Sequence, residues 1–313
     1  MADEQQNTLL SDDTNYRLTL QTYLKYMQQL PPQREWMNTK LAPRLSEIFQ
    51  SKNVLKVLAV GTGSGEVDID FLDVIVKVGK EKHGEDYSVV YQVVEPNPSN
   101  VKFFRDAVTD KESYSKVKFN WFQGFYEDFL EEFKKTESEE NKFDFAHFVR
   151  CFYHIDSVKG LDTTYQHFLA KNGIVAVVGE NEDAFWPKNM LFLNDHGMKH
   201  ECFTCSGPVS QAYFLPGWIS QATEKGWKHE TYTHRYNFDV TPMFDETSNI
   251  GNYLIDFATH AKQARKTVKK EILDDFFAFL NKNIVETKIE EDGKEVNKKY
   301  FPCQLGAIII TRE

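Results

Sequence analysis

Cysteine is scarce, with four in 313 residues, so no disulfide scaffold is available and a reduced intracellular setting is expected. Long apolar runs are missing as well, and none reaches the length needed to span a bilayer as a helix. Positive charge is in deficit. Thirty-seven Lys and Arg face 47 Asp and Glu, a net charge of −10. A dedicated nucleic-acid binder needs a basic face for phosphates, so that class is disfavoured. The first residues, Met1-Ala-Asp-Glu-Gln-Gln, are polar and acidic, unlike a signal peptide or an Arg-rich transit peptide. A cytoplasmic protein without membrane or nucleic-acid partners is the expectation. No internal repeat or low-complexity block is visible, which excludes solenoids and arrays. What is plentiful is aromatic core material: 25 Phe, 14 Tyr and 5 Trp.

The first 50 residues read as helical. Tyr16, Leu18, Leu20, Tyr23, Leu24 and Met27 recur at roughly helical spacing behind a capping Asp12-Asp13-Thr14, and Pro31-Pro32 is expected to stop that helix. A second helical stretch from about Glu35 is expected to break at Pro43. The rhythm then changes. Val54–Val60, Val89–Val94, Val117–Trp121, Phe143–Val149 and Gly173–Val178 are short apolar, β-branched runs separated by helical segments. That alternation is the pattern of a parallel sheet covered on both faces, a Rossmann-like α/β class. Gln304–Thr311 reads as a late final strand. Phe214–Ala222 and Asn252–Ala264 look helical, and Lys228–Phe238 looks like a strand. Leu130–Asn141 and Thr287–Lys299 are charged and read as surface loops. Lys262–Lys270 reads as a solvated helix face.

The sharpest feature is a strand, a glycine loop and a helix at Val57–Glu66. Glycines allow a tight turn and close approach of backbone to a ligand, and the following helix offers free N–H groups. A dinucleotide fingerprint would place a third glycine where Glu66 stands, and a P-loop would need Gly-Lys-Ser/Thr. Here Gly61, Gly63 and Gly65 are followed at once by an acid. A negative residue beside the loop repels a pyrophosphate but suits a positive ligand. The second strand ends in Glu95-Pro96, and a carboxylate at that tip can accept both hydroxyls of a ribose. A ligand with ribose hydroxyls, a positive centre and no phosphate is S-adenosylmethionine. Past the fourth strand lie Arg150, Cys151, Phe152, Tyr153 and His154, where open α/β sheets bind ligands. Tyr153 and His154 are therefore candidates to orient a methyl acceptor.

These residues resemble the histamine N-methyltransferase family of class I methyltransferases, nearly end to end. Leu9-Leu10-Ser11-Asp12…Tyr16, Glu35-Trp36-Met37…Lys40-Leu41, Gly61–Ile69, Val93-Val94-Glu95-Pro96, Val117-Lys118-Phe119…Trp121 and Asp144-Phe145…His147 carry the likeness in order. The resemblance implies a seven-stranded, mostly parallel sheet. It implies amino-terminal helices (1–50) capping the substrate site, a cofactor core (51–180), and a lid insertion with the end of the sheet (181–313). Its cofactor contacts fall on Gly61, Glu95, Asn100, Tyr126 and Val149. Asn100 replaces a glutamine and Tyr126 a serine. On the substrate side Gln29 stands for a glutamate and Cys303 for an asparagine, while Tyr16, Tyr23, Tyr153, Trp186 and Phe244 keep an aromatic lining. The pocket type is retained and its charge anchor is not.

The expected activity is in-line methyl transfer from S-adenosylmethionine to nitrogen of a small imidazole or amine, by a monomer, with no obligatory base. Rival readings are transfer to another heteroatom or a carboxylated amine, a silent cofactor-binding homologue, and an NAD-type oxidoreductase. His196, His200, Cys202 and Cys205 lie within ten residues with a zinc-like Cys-x-x-Cys spacing. No second pair accompanies them and the family scaffold needs no metal, so none is assigned.

Overall fold

The structure, a computed structural model, describes residues 9, 12–198, 213–291 and 293–313. Its organising element is one sheet in the order β3-β2-β1-β4-β5-β8-β6, with β7 paired to β8. The strands are β1 (Val54–Val60), β2 (Ser88–Val94), β3 (Val117–Phe122), β4 (Phe143–Val149), β5 (Leu169–Glu180), β6 (Lys228–Asp239), β7 (Val285–Glu291) and β8 (Lys294–Thr311). β1 pairs in parallel with β2 and β4, β2 with β3, and β4 with β5. The hairpin strand β7 makes eight strands where the resemblance implies seven.

The described parts of the chain fall into two compact units. One comprises Gln33–Gly179, Cys202–Thr233 and Gly306–Glu313; the other comprises Met1–Pro32, Glu180–Glu201 and His234–Leu305. The first division therefore comes at Pro32/Gln33 rather than after residue 50, because the helices from Gln33 to Ser51 pack with the parallel sheet.

In the larger unit β1 is buried along almost its whole length between two neighbours, which suits its run of Val, Leu and Ala. The helix that follows, Glu66–His83, starts from Gly65, held at φ +86°, and carries Glu66 and Asp68 in its first turn. Glu66 complements the positive end of the helix dipole. Asn97 caps Pro98–Val108 by accepting from the N–H groups of Ser99 and Asn100. The rings of Tyr126, Phe129, Phe133, Phe143, Phe148 and Phe168 fill one apolar cluster with Leu58, Val175 and Ile308.

Four readings of the sequence need correction. Pro31 and Pro32 do not end a helix. The first helix (Asp13–Tyr26) stops earlier, and the prolines lie in the opening turn of the next, Leu30–Trp36, where their missing N–H groups cost little. The irregularity expected at Pro43 is a π turn over Met37–Leu41, and Pro43 opens the helix Ala42–Ser51. Leu130–Asn141 is not all loop: Tyr126–Lys134 is a helix that buries Phe129, Leu130 and Phe133 behind an exterior of Glu and Lys. Thr287–Lys299 is the β7–β8 hairpin, paired from Val285↔Tyr300 to Glu291↔Lys294.

In the smaller unit, Lys262–Lys270 holds a single short helix, Ala264–Thr267, before the helix Lys270–Asn283. Its Arg265 is not simply solvated: Nη2 donates to the Met243 carbonyl at 2.6 Å, and the guanidinium lies 5.4 Å from the Phe277 ring centre.

Candidate functional site

Three glycines in left-handed backbone shape the loop after β1: Gly61 at φ +65°, Gly63 at +55° and Gly65 at +86°. Two of them are also closed in by neighbours. A β-carbon on Gly61 would lie 2.5 Å from Cβ of Cys151, and one on Gly65 would lie 2.2 Å from the Phe104 ring. Gly63 differs, since a β-carbon there would meet nothing within 4 Å. Backbone is thus bare toward open space at Gly63, where a ligand can approach closely.

Glu95, at the tip of β2, holds this loop in place. Its Oε2 accepts from the Gly63 N–H at 2.9 Å, and its Oε1 accepts from the Asn97 N–H at 3.0 Å and from Asn100 Nδ2 at 3.3 Å. The carboxylate is only 5% exposed, yet Oε2 retains an accepting lone pair and the Asn100 bond is long enough to yield to a hydroxyl. Pro96 is exposed beside it. Glu66 accepts from the Ser64 hydroxyl through both carboxylate oxygens, at 2.7 and 2.8 Å. An acid already occupies the helix start, so a phosphate there would meet repulsion.

Beneath the loop lies a buried polar chain. The Tyr91 hydroxyl is 2.9 Å from Asp68 Oδ1 and 2.9 Å from His147 Nε2. Burial, reinforced by Glu95 and Glu66, lifts the Asp68 carboxyl to about 8, against the pull of its bond with Tyr91. Burial also lowers His147 to about 3. Near neutral pH the chain is uncharged, with the Tyr91 hydroxyl donating to Asp68 Oδ1 and lying within hydrogen-bond distance of His147 Nε2.

Past β4, Val149 and Arg150 are half-buried, and the rings of Tyr153 and His154 lie side by side, with centres 4.5 Å apart and planes tilted by 58°. Tyr126 is not available to a cofactor in the way the alignment implies. It is buried, and its hydroxyl is engaged by the Gly160 carbonyl at 3.0 Å and the Thr164 hydroxyl at 2.9 Å. A bulky aromatic where the family has serine turns into the core.

In the smaller unit, the expected substrate residues fall into separate places. Tyr23 and Trp186 converge with Phe257: Tyr23–Phe257 centres are 4.4 Å apart, Trp186–Phe257 5.6 Å, and Tyr16–Phe257 6.1 Å. Phe244 is elsewhere, against Phe277 and beneath the Lys299 ammonium at 4.0 Å. Cys303 is buried, with Sγ accepting from the Phe185 N–H, and burial raises its thiol far above the ordinary range, with Glu180 adding to the effect. Gln29 is fully buried, and among the described residues neither its amide oxygen nor its nitrogen has a hydrogen-bond partner.

The residue that sequence reading missed is Glu180. It ends β5, is 8% exposed, and accepts from the Trp186 N–H at 3.2 Å and from the Tyr23 hydroxyl at 3.4 Å. The signal was present, because Val177-Val178-Gly179-Glu180 ends a strand in an acid just as Val93-Val94-Glu95 does. Among the described residues no group of three or more His, Cys, Asp or Glu is arranged to hold a metal. His200, Cys202 and Cys205 lie outside the described residues, and His196 contacts the Phe192 carbonyl and Asp275.

The methyltransferase-domain family matches residues 33–238, which span the glycine loop, Glu95 and the end of β4. The chain belongs to that family. Over nearly its full length this methyltransferase is also similar to histamine N-methyltransferase B of Xenopus laevis, 27% identical over 310 residues and covering 97% of each chain. Histamine N-methyltransferase A of the same frog is 24% identical over 98% of this chain and 99% of its own. The histamine N-methyltransferase of Rattus norvegicus is 22% identical over 97% of both. S-adenosylmethionine is the donor of this methyltransferase, and the bare backbone at Gly63 and the acids rather than phosphate-binding donors at the helix start agree with it.

Proposed function

We propose that this methyltransferase transfers a methyl group from S-adenosylmethionine to a nitrogen of a small amine-bearing compound, with an imidazole carrying an ammonium tail as the preferred class. The observation that supports an amine is Glu180. It is a nearly buried carboxylate beside the rings of Tyr23 and Trp186, and aromatic faces with one acid are the surroundings that stabilise a small organic cation. The full-length likeness to histamine N-methyltransferases agrees with that chemistry, while Gln29 lacks the charge of the family's glutamate.

A tail amine and a ring nitrogen do different work. The tail stays protonated and is held by Glu180, whereas a nucleophile needs a free lone pair. An imidazole, largely neutral above a pKa of about 6.5, supplies that lone pair without a strong base. Bound S-adenosylmethionine supplies a methyl group on a positive sulfur with a good leaving group. This chain's residues therefore mainly align. Glu95 and the Gly61–Gly65 backbone hold the sugar end, and alignment of this kind provides roughly 7–11 kcal/mol in favourable cases. The proton released on methylation passes to water.

The test is incubation of purified protein with methyl-labelled S-adenosylmethionine and a panel of imidazoles, biogenic amines, phenols and thiols, read by mass spectrometry. Label on nitrogen of an imidazole or amine is the expected result. Label confined to phenols or thiols, or no affinity for S-adenosylhomocysteine, overturns the reading.

A further inference from the structure

Arg150 and Gln33, 117 positions apart in the chain, form a pair in the larger unit that has donors to spare and no acceptor. Arg150 follows the last residue of β4 and sits at φ +50°, a left-handed conformation that strains any residue with a β-carbon. Its backbone is pinned there by donation to the Val178 carbonyl at 2.9 Å. Its Nη2 donates to Gln33 Oε1 at 2.8 Å, and this is the side chain's only hydrogen bond among the described residues.

A guanidinium has donors only, so this bond fixes the Gln33 amide with its oxygen toward Arg150 and its nitrogen away. Among the described residues that nitrogen is buried without a partner, and so is Nε of Arg150. Gln33 itself is fully buried. A half-buried positive charge and a buried amide donor, side by side and unmatched, are costly unless an acceptor arrives. The matching group is negative and planar with two oxygens, because arginine binds carboxylates in that way. Location points the same way. The next residue, Cys151, packs directly on Gly61 of the donor loop.

We propose that Arg150, positioned by Gln33, binds a carboxylate carried by one of the reactants. This rests on the methyltransferase reading above and narrows it. The carboxylate has two sources: the amino-acid end of the donor, or an acid group on the acceptor, which would make the acceptor an amino acid rather than a simple amine.

Calorimetry on the full chain separates the two. Wild type, R150Q and R150K are titrated with S-adenosylhomocysteine and with 5′-methylthioadenosine, which lacks the amino-acid end. KM is measured for acceptors of one skeleton with and without a carboxylate, histidine against histamine. If the donor supplies the group, R150Q binds S-adenosylhomocysteine about 10- to 100-fold more weakly and 5′-methylthioadenosine unchanged. If the acceptor supplies it, donor binding is unchanged and KM rises about 10- to 100-fold for histidine alone. In either case R150K, which keeps charge but loses the fork, falls between. Equal loss for ligands with and without a carboxylate, or no loss for any, overturns the proposal. Failure of wild type to bind S-adenosylhomocysteine overturns the methyltransferase reading instead.

Discussion

Replacing Asp68 by asparagine isolates a buried acid beneath the glycine loop that titrates in an accessible range. Asparagine has the same shape and keeps an oxygen for the Tyr91 hydroxyl, 2.9 Å away in the wild type, but cannot ionise. In the folded wild type burial holds the carboxyl protonated up to about 8, against an ordinary value of 3.8. In the unfolded chain it releases its proton near 4. Between those values the folded state binds more protons than the unfolded one, so stability falls as pH rises, by up to about 1.4 kcal/mol per pH unit. Above about 8 the loss is complete and flat; below about 4 it is absent. His147 acts in the opposite sense, since burial lowers it to about 3 and stability is lost as pH falls below about 6.5, but it is shared by both proteins. Urea denaturation at pH 5.5, 6.5 and 7.5 is the assay. The stability of D68N relative to wild type should grow by about 3 kcal/mol across that range. Parallel curves would refute the argument, because they would mean that Asp68 is already ionised when folded.

The glycine loop offers a paired test. Gly65→Ala combines left-handed strain with a clash on Phe104, so it should lose about 2–4 kcal/mol of stability by denaturation. Gly63→Ala meets no neighbour and should lose only about 1 kcal/mol, yet weaken S-adenosylhomocysteine at least about tenfold by calorimetry. Unchanged affinity would show that the donor does not cross Gly63. Glu180→Gln should raise KM for the amine roughly 10- to 100-fold, the worth of a charge-assisted hydrogen bond, and leave donor affinity alone. Loss of donor affinity instead would make its role structural. Tyr126→Phe removes hydroxyl bonds to Gly160 and Thr164, so about 1–3 kcal/mol of stability should go with no change in donor binding.

Strands that carry their own burial are legible in sequence. β1 and β4 are apolar runs between turn signals, and their limits, Val54–Val60 and Phe143–Val149, match the reading residue for residue. Elements whose exposed face dominates the composition are not. Tyr126–Lys134 buries one stripe, but five of its nine residues are charged, and the stripe is hidden among them. The β7–β8 hairpin has almost no apolar alternation because β7 is exposed on nearly every residue. The glycine loop and the place of Glu95 at the tip of β2 are legible because the glycines, the acid and the strand end lie within one βαβ unit. Glu180 is not legible locally because its partner Tyr23 stands 157 positions earlier in the chain. The Arg150–Gln33 pair is likewise a product of folding and has no local pattern.

The acids around the glycine loop bear on which charge a ligand of the larger unit can carry there. Glu66 stands at the start of the helix and Glu95 holds the Gly63 N–H, so two carboxylates border the backbone that a ligand must approach. Asp68 is kept neutral partly by their field, and it is buried where no counter-ion can reach. At about 4 Å, two like charges repel by about 1 kcal/mol in water and about 4 kcal/mol in a partly shielded surface site. A pyrophosphate brings two negative charges to that border and gains no basic residue from the loop. A sulfonium brings one positive charge and turns the same terms into attraction. Substituting glutamine at both positions should therefore weaken S-adenosylmethionine more than S-adenosylhomocysteine, whose sulfur is neutral. Equal weakening of the two would mean that the acids act only through hydrogen bonds to the sugar and loop.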